Sequence, residues 1–235
     1  MSDWAPKRFW KETVVTEAGE GFTVHLDGRP IRTPLKAPLV VPTRGMAELL
    51  AEEWEAQQGR INPETMPATR SANSAIDKLS LQQTEVAEML AAYGGTDLLC
   101  YRAERPLPLV QRQAAAWDPV LEWAAATYNA PLVVTAGVLP VDQPEASLEA
   151  LKAEVMRLDT FQLAAFHDLV AISGSLLLAL ALIEGKLDVA AAWEASRVDE
   201  TWQNEQWGED EDAALIEAGK RRAFEHAYRF YGLCR

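Results

Sequence analysis

Cysteine, histidine and basic charge are all scarce in this chain of 235 residues, and each shortage removes a class of function. Cys100 and Cys234 are too few for a disulfide framework, and no Cys-x-x-Cys or mixed Cys/His group offers a zinc site. That usage fits a reducing compartment. His25, His167 and His226 are scattered without ligand spacing. Lys and Arg number 22 against 35 Asp and Glu, a formal charge of -13, which argues against nucleic acid or an anionic membrane as partner. Phosphate-cradling glycine loops and the GxSxG elbow are missing too, so no cofactor is expected. The longest apolar run, Leu169 to Ile183, falls short of the ~18 residues that span a bilayer and reads as a buried core helix. No secretory signal or transit peptide is visible in the opening MSDWAPKRFWKE.

What is present suffices for a sizeable core, with 49% hydrophobic and 24% charged residues. Alternation in Phe22, Val24 and Leu26, the Asp27-Gly28 turn, and KETVVT before Gly19 and Gly21 predict a small antiparallel meander of three or four strands. Pro30, Pro34, Pro38 and Pro42 keep the later strands short or at an edge. From Thr43, a candidate N-cap, the period becomes helical: Met46, Leu49, Leu50 and Trp54 share a face, as do Ala68, Ala72, Ala75, Ile76 and Leu79. Ser80 with Gln83 is a capping-box pattern, and Asp118-Pro119 reads as the start of a second helix in the middle segment. Leu132 to Val134 is a further candidate strand. Helices over Phe161 to Glu184 and Val189 to Gln206 follow, then a last one marked by Ile216, Ala223, Ala227 and Phe230. The expected class is α+β, a small β-rich part at residues 1–42 packed on an α-helical domain at 43–235.

The stretch Trp193 to Asp212 stands out, because three of the eight tryptophans sit there among acids and amides. On one continuous helix Val189, Trp193, Ser196, Glu200 and Trp207 share a side, with Val198 and Trp202 nearly opposite. One aromatic face then goes to the core and the other to a second surface. Trp202 and Trp207, rimmed by acids such as Glu211 and Asp212, have the make-up of interface anchors. Glu200 is either an exposed acid or a carboxylate held by Arg197 or Arg222. Trp54, Trp117 and Trp123 lie beside apolar stripes and read as core.

Catalytic readings are thin. Cys100 with His167 as base would be a nucleophile pair, but Leu98, Leu99 and Tyr101 around it describe a buried, inert thiol. Asp97 is a functional carboxylate or, more simply, a cap or a partner of Arg102. Gly174 reads as a close-packing site. The alternative function on this basis is a small-molecule hydrolase using Cys100 or a carboxylate pair in a cleft between the β and α parts.

Four segments in order carry a resemblance: LDGRPIRTPLKAPLVVP, LAEEWEAQQGRINPETMPATR, DLLCYRAERP followed by Q-x-x-x-WDP-x-x-EW, and E-x-x-Q-x-x-x-WG-x-DE. Together, from about Phe22 to Asp212, they resemble the chaperone family that assists assembly of the F-type ATP synthase head by binding its free alpha subunit. The resemblance implies a non-enzymatic assembly factor that masks the alpha subunit's bare interface, and a bacterial, cytoplasmic member of the family. The family's active acids carry over to Glu200 and Glu211, beside Trp207. With Trp202 and Asp212 these form the expected partner surface of a chain expected to be monomeric.

Overall fold

The computed structural model describes residues 7–137 and 139–235; the opening MSDWAP of the expected β part and Val138 lie outside them. Strands β1 (Thr13–Ala18), β2 (Gly21–Leu26) and β3 (Arg29–Pro30) form an antiparallel sheet in that order. Asp27 (φ 48°) and Gly28 (φ 77°) both turn left-handed, as a two-residue hairpin requires. The Asp27 carboxylate accepts from the backbone N–H of Glu12 (2.9 Å) and Lys11 (3.0 Å), which pulls its pKa down. After β3 the prolines leave only isolated bridges, Arg32 with Pro38 and Phe22 with Val41.

Helix α1 (Arg44–Glu55) is capped by Thr43, whose hydroxyl accepts from Met46 N at 3.2 Å. It lays Met46, Leu49 and Leu50 against β1 and β2, over Val24 and Leu26. Its buried Glu53 accepts from Ala68 N (2.6 Å), Thr69 N (2.8 Å) and the Thr69 hydroxyl (2.8 Å). That carboxylate thus supplies the cap that α2 (Pro67–Ser74) lacks at its own N-terminus. Burial pushes the Glu53 pKa up, and the three donors pull it back. From α2 the chain continues through a π-turn, Ala75–Leu79, into α3 (Ser80–Ala91). Ser80 is therefore no N-cap: its hydroxyl donates back to Ile76 O at 2.6 Å.

The short strand β4 (Tyr101–Arg102) pairs in parallel with β5 (Thr135–Ala136). The strand expected at Leu132 to Val134 thus begins after it, and the Gln143 side chain holds Val133 by both backbone groups. Between them α4 (Leu107–Tyr128) is one helix of 22 residues, not two, with Pro119 inside it. Gln113, Trp117, Val120 and Ala124 are buried along one unbroken stripe across the proline, and that stripe outweighs the single lost ladder bond. Asp118 caps nothing and accepts instead from Arg102 at 2.7 Å. Trp117 is fully buried, whereas Trp54 and Trp123 are half-buried with edge-on partners Trp10 and Tyr128.

Helices α5 (Glu145–Val155), α6 (Thr160–Ser173), α7 (Leu176–Ile183), α8 (Val189–Ser196), α9 (Val198–Trp207) and α10 (Glu211–Leu233) complete the chain, an α+β fold. The long helix expected from Phe161 to Glu184 breaks at Gly174, whose φ of +72° ends α6. Nothing lies within 4 Å of where its Cβ would be, so its role is conformational rather than close packing. Ser175 caps α7 by accepting from Leu178 N (3.0 Å) and donates to buried Asp97 (2.7 Å), which also accepts from Leu99 N and Leu177 N at 3.0 Å each. Asp97 is therefore a cap rather than the partner of Arg102. Residues up to Gln83 among those described, with Asp159–Ala165 and Arg229–Arg235, form one compact unit; Thr84–Leu158 and Phe166–Tyr228 form a second.

Candidate functional site

The site is built where α8 gives way to α9. Arg197 leaves helical geometry (φ -119°, ψ 17°), so the single helix face expected from Val189 to Trp207 does not exist. The Arg197 guanidinium donates to Ile172 O (2.6 Å), Glu200 Oε1 (2.9 Å) and Ser196 Oγ (3.2 Å) and lies 4.9 Å above the Trp193 ring. Trp193 is core, 4% exposed and packed on Phe224. Glu200 combines both readings made of it: Arg197 holds it, yet half of its side chain meets solvent.

Along α9, Trp202 is half-buried beneath Arg112 of α4, 5.1 Å from the ring centroid. Arg112 grips Glu205 with both terminal nitrogens at 2.8 and 2.9 Å, which raises the arginine's pKa and lowers the carboxylate's. Gln113 adds a bond to Asp199 at 2.7 Å. So one side of α9 is bound to α4 and the far end is bare. Trp207, its last residue, is 79% exposed, and Gly208 (φ 88°) turns the chain sharply there. Asp210 caps α10 by accepting from Ala213 N at 2.8 Å, and Glu211 and Asp212 are exposed in the first turn, where the helix dipole favours carboxylates.

Of the five expected partner residues, Trp207, Glu211 and Asp212 flank this one corner, Glu200 marks the start of α9 and Trp202 is turned toward α4. Two residues escaped the sequence reading. Leu215 and Ile216 are 71% and 61% exposed, although Ile216 is one of the apolar residues that mark the helix in the sequence. The density of acids on both sides was the available signal. Between α9 and α10 a groove of about 500 Å³ is lined by Thr201, Asn204, Glu205, Ala214, Glu217 and Arg221 among others, with Trp193 in its wall.

Reactive chemistry is not assembled around the other candidates. Cys100 is fully buried, and burial first, then the nearby Asp97 charge, pushes its thiol up to about 12, so it carries a proton at neutral pH. His167 sits exposed, tied to Asp168 at 3.0 Å. The buried carboxylates Glu53 and Asp97 each spend their oxygens on helix N-termini and belong to different units. Among the described residues no group of three or more His, Cys, Asp or Glu is placed to hold a metal, and no helix is long and apolar enough to cross a membrane.

An α+β fold that bares Trp207, Leu215 and Ile216 among carboxylates has the equipment of a protein that binds other proteins. The profile of the ATP12 chaperone protein matches residues 7–125. Along 227 residues the chain is 26% identical to the mitochondrial protein atp12 of Schizosaccharomyces pombe, covering 90% of this chain and 77% of that one. The crystal structure of Atp12 from Paracoccus denitrificans superposes with a TM-score of 0.93 at 49% identity, over 97% of this chain and 98% of that one. A structure from Agrobacterium tumefaciens, described there as a candidate chaperone, gives 0.94 at 41% identity, over 98% and 87%. The chain belongs to the ATP12 chaperone family.

Proposed function

We propose that this chaperone serves assembly of the F-type ATP synthase head in the bacterial cytoplasm by holding the free alpha subunit. In the alternating ring that subunit is covered by beta subunits, and alone it carries an apolar interface prone to aggregate. A soluble protein that masks the interface and binds only the unassembled form shifts the balance toward assembly by mass action. Release requires a contact of moderate strength, partly polar rather than obligate.

One observation carries the reading. From Val198 to Gly219 the chain has eight Asp or Glu and no Lys or Arg, and within that field Trp207 is bare at a helix end. Glu200, Trp207, Glu211 and Asp212 form the contact surface, and Trp202 positions α9 beneath it. The experiment is co-expression with the alpha subunit followed by co-purification. Glu211→Lys is expected to lose the complex with thermal unfolding nearly unchanged, because the residue is exposed and its contribution to the fold is the first-turn charge of α10, worth at most ~1 kcal/mol. A soluble yield of alpha subunit indifferent to this protein would remove the client; a melting temperature that collapses in Glu211→Lys would make the residue structural.

A further inference from the structure

Helix α10 has two halves of opposite character. At ~100° per residue, Ile216, Ala223, Ala227 and Phe230 fall on one stripe. Phe224, Ala227 and Phe230 are buried, whereas from Glu211 to Ala223 no residue is, and the same stripe runs bare through exposed Ala223 to Ile216, with Leu215 beside it. The first half thus bares Ile216 and, about 100° round the helix from it, Leu215, on a side that Asp212 and Lys220 share. The opposite side, with Ala214, Glu217, Ala218 and Arg221, faces the groove shared with α9. Ile216 therefore points away from the groove shared with α9, and Leu215 lies at the border between the two sides, 71% exposed.

Among the described residues nothing buries Leu215 and Ile216, although Phe224 and Ala227 further along the same helix are core. The surroundings of the bare pair state what covers it. The tip carries Glu209, Asp210, Glu211 and Asp212 with no Lys or Arg between them and Ile216, and Lys220, one turn further on, is the first basic residue of the helix. A partner with an apolar groove rimmed by basic side chains complements both features. A nucleic acid or an acidic surface complements neither.

We propose that the first half of α10 is a docking helix, laid by Leu215 and Ile216 into a basic-rimmed apolar groove of the client. The inference rests on the client reading above and extends it from an acidic corner to a helix-in-groove contact. The geometry also explains why the corner is acidic: the carboxylates set register and speed of encounter, and the aliphatic pair supplies hold.

The test uses the full chain, with purified alpha subunit as probe. Leu215→Gln/Ile216→Gln keeps good helix formers at both positions and is expected to leave the melting temperature unchanged while weakening capture at least ~10-fold. Ala214→Gln, on the groove side, serves as control and is expected to retain capture. If the unaltered chain holds alpha subunit and the double variant holds it equally, the docking helix is wrong and the client reading stands. If the unaltered chain fails to hold it, the client reading falls first and the inference with it. If the unaltered chain sediments as a dimer that the double variant dissolves, a second copy covers the stripe and the client groove is overturned.

Discussion

Trp193 and Trp207 stand two short helices apart in the chain and at opposite ends of the exposure scale, 4% against 79%. Around Trp193 the buried polar groups are answered within the fold: Arg197 bonds three partners, the Ser196 hydroxyl donates to Trp193 O at 2.7 Å, and the Trp117 indole reaches Ala195 O at 2.7 Å. Around Trp207 the carboxylates face water, and the apolar residues Leu215 and Ile216 are left bare. The first region is organised for folding and the second for contact. Composition does not separate them, since both hold Trp, Glu and amide side chains. What separates them is Arg197, which breaks the helix and sends the two tryptophans to different surroundings.

The contrast predicts where damage to the fold is greatest. Trp193→Ala removes a buried indole from its seat on Phe224 and beneath Arg197, and should cost about 4 kcal/mol in denaturant unfolding. A loss under ~1 kcal/mol would mean that the region is not core and would break the comparison. Asp97→Ala should follow at ~3 kcal/mol, since it orphans the buried N–H groups of Leu99 and Leu177 and the Ser175 hydroxyl.

The same carboxyl supplies a pH test. Burial is the largest influence on Asp97 and raises its pKa, against the pull of its donors. In the folded chain it therefore binds a proton more readily than in the unfolded one. The stability this lends is complete below the ordinary carboxylate range and is lost as pH rises through the elevated value. Asp97→Asn should flatten that part of the melting-temperature profile relative to the unaltered chain. An unchanged slope would show that the carboxyl titrates as if in water.

Much of this was legible in the sequence, and the failures have common causes. The hairpin at Asp27-Gly28 and the Thr43 cap are local chemistry, and both were read correctly. Arg197 holds Glu200 as one of the readings has it, but the breaks at Gly174 and Arg197 and the continuity across Pro119 do not show in the sequence, because each depends on a distant partner: Asp97 and Ser175 stabilise the break after Gly174, Arg197 is fixed by Ile172 O and Trp193, and Pro119 is carried by the buried stripe from Gln113 to Ala124. A sequence window shows the glycine or proline but not the partner that decides whether the helix ends. For the site, the crowd of acids and tryptophans from Trp193 to Asp212 is visible, but the exposure of Leu215 and Ile216 is not, since a periodic pattern records where apolar residues recur and not what covers them.

Smaller effects lie between the two regions. Arg112→Ala removes the cover of half-buried Trp202 and the grip on Glu205, a partly exposed ion pair, so melting should shift only modestly. Trp202 fluorescence should move to the red as the ring meets water, and an unmoved spectrum would mean that the arginine does not shield it.

The smallest effect on the fold is expected from Trp207→Ala, and it is the sharpest test of the contrast. The ring is bare at the end of α9, Gly208 rather than Trp207 sets the turn, and Asp210 caps α10 without its help. Unfolding should therefore change by no more than ~0.5 kcal/mol. An anchor of this size buried in a partner, however, typically costs ~2 kcal/mol or more when truncated, so capture of the alpha subunit should fall by more than tenfold. Trp193 and Trp207 would then differ not in how much free energy they contribute but in when: one on folding, the other on meeting the client. Equal loss of stability in the two variants would erase that distinction, because the α9–α10 corner would then be part of the core it was taken to oppose.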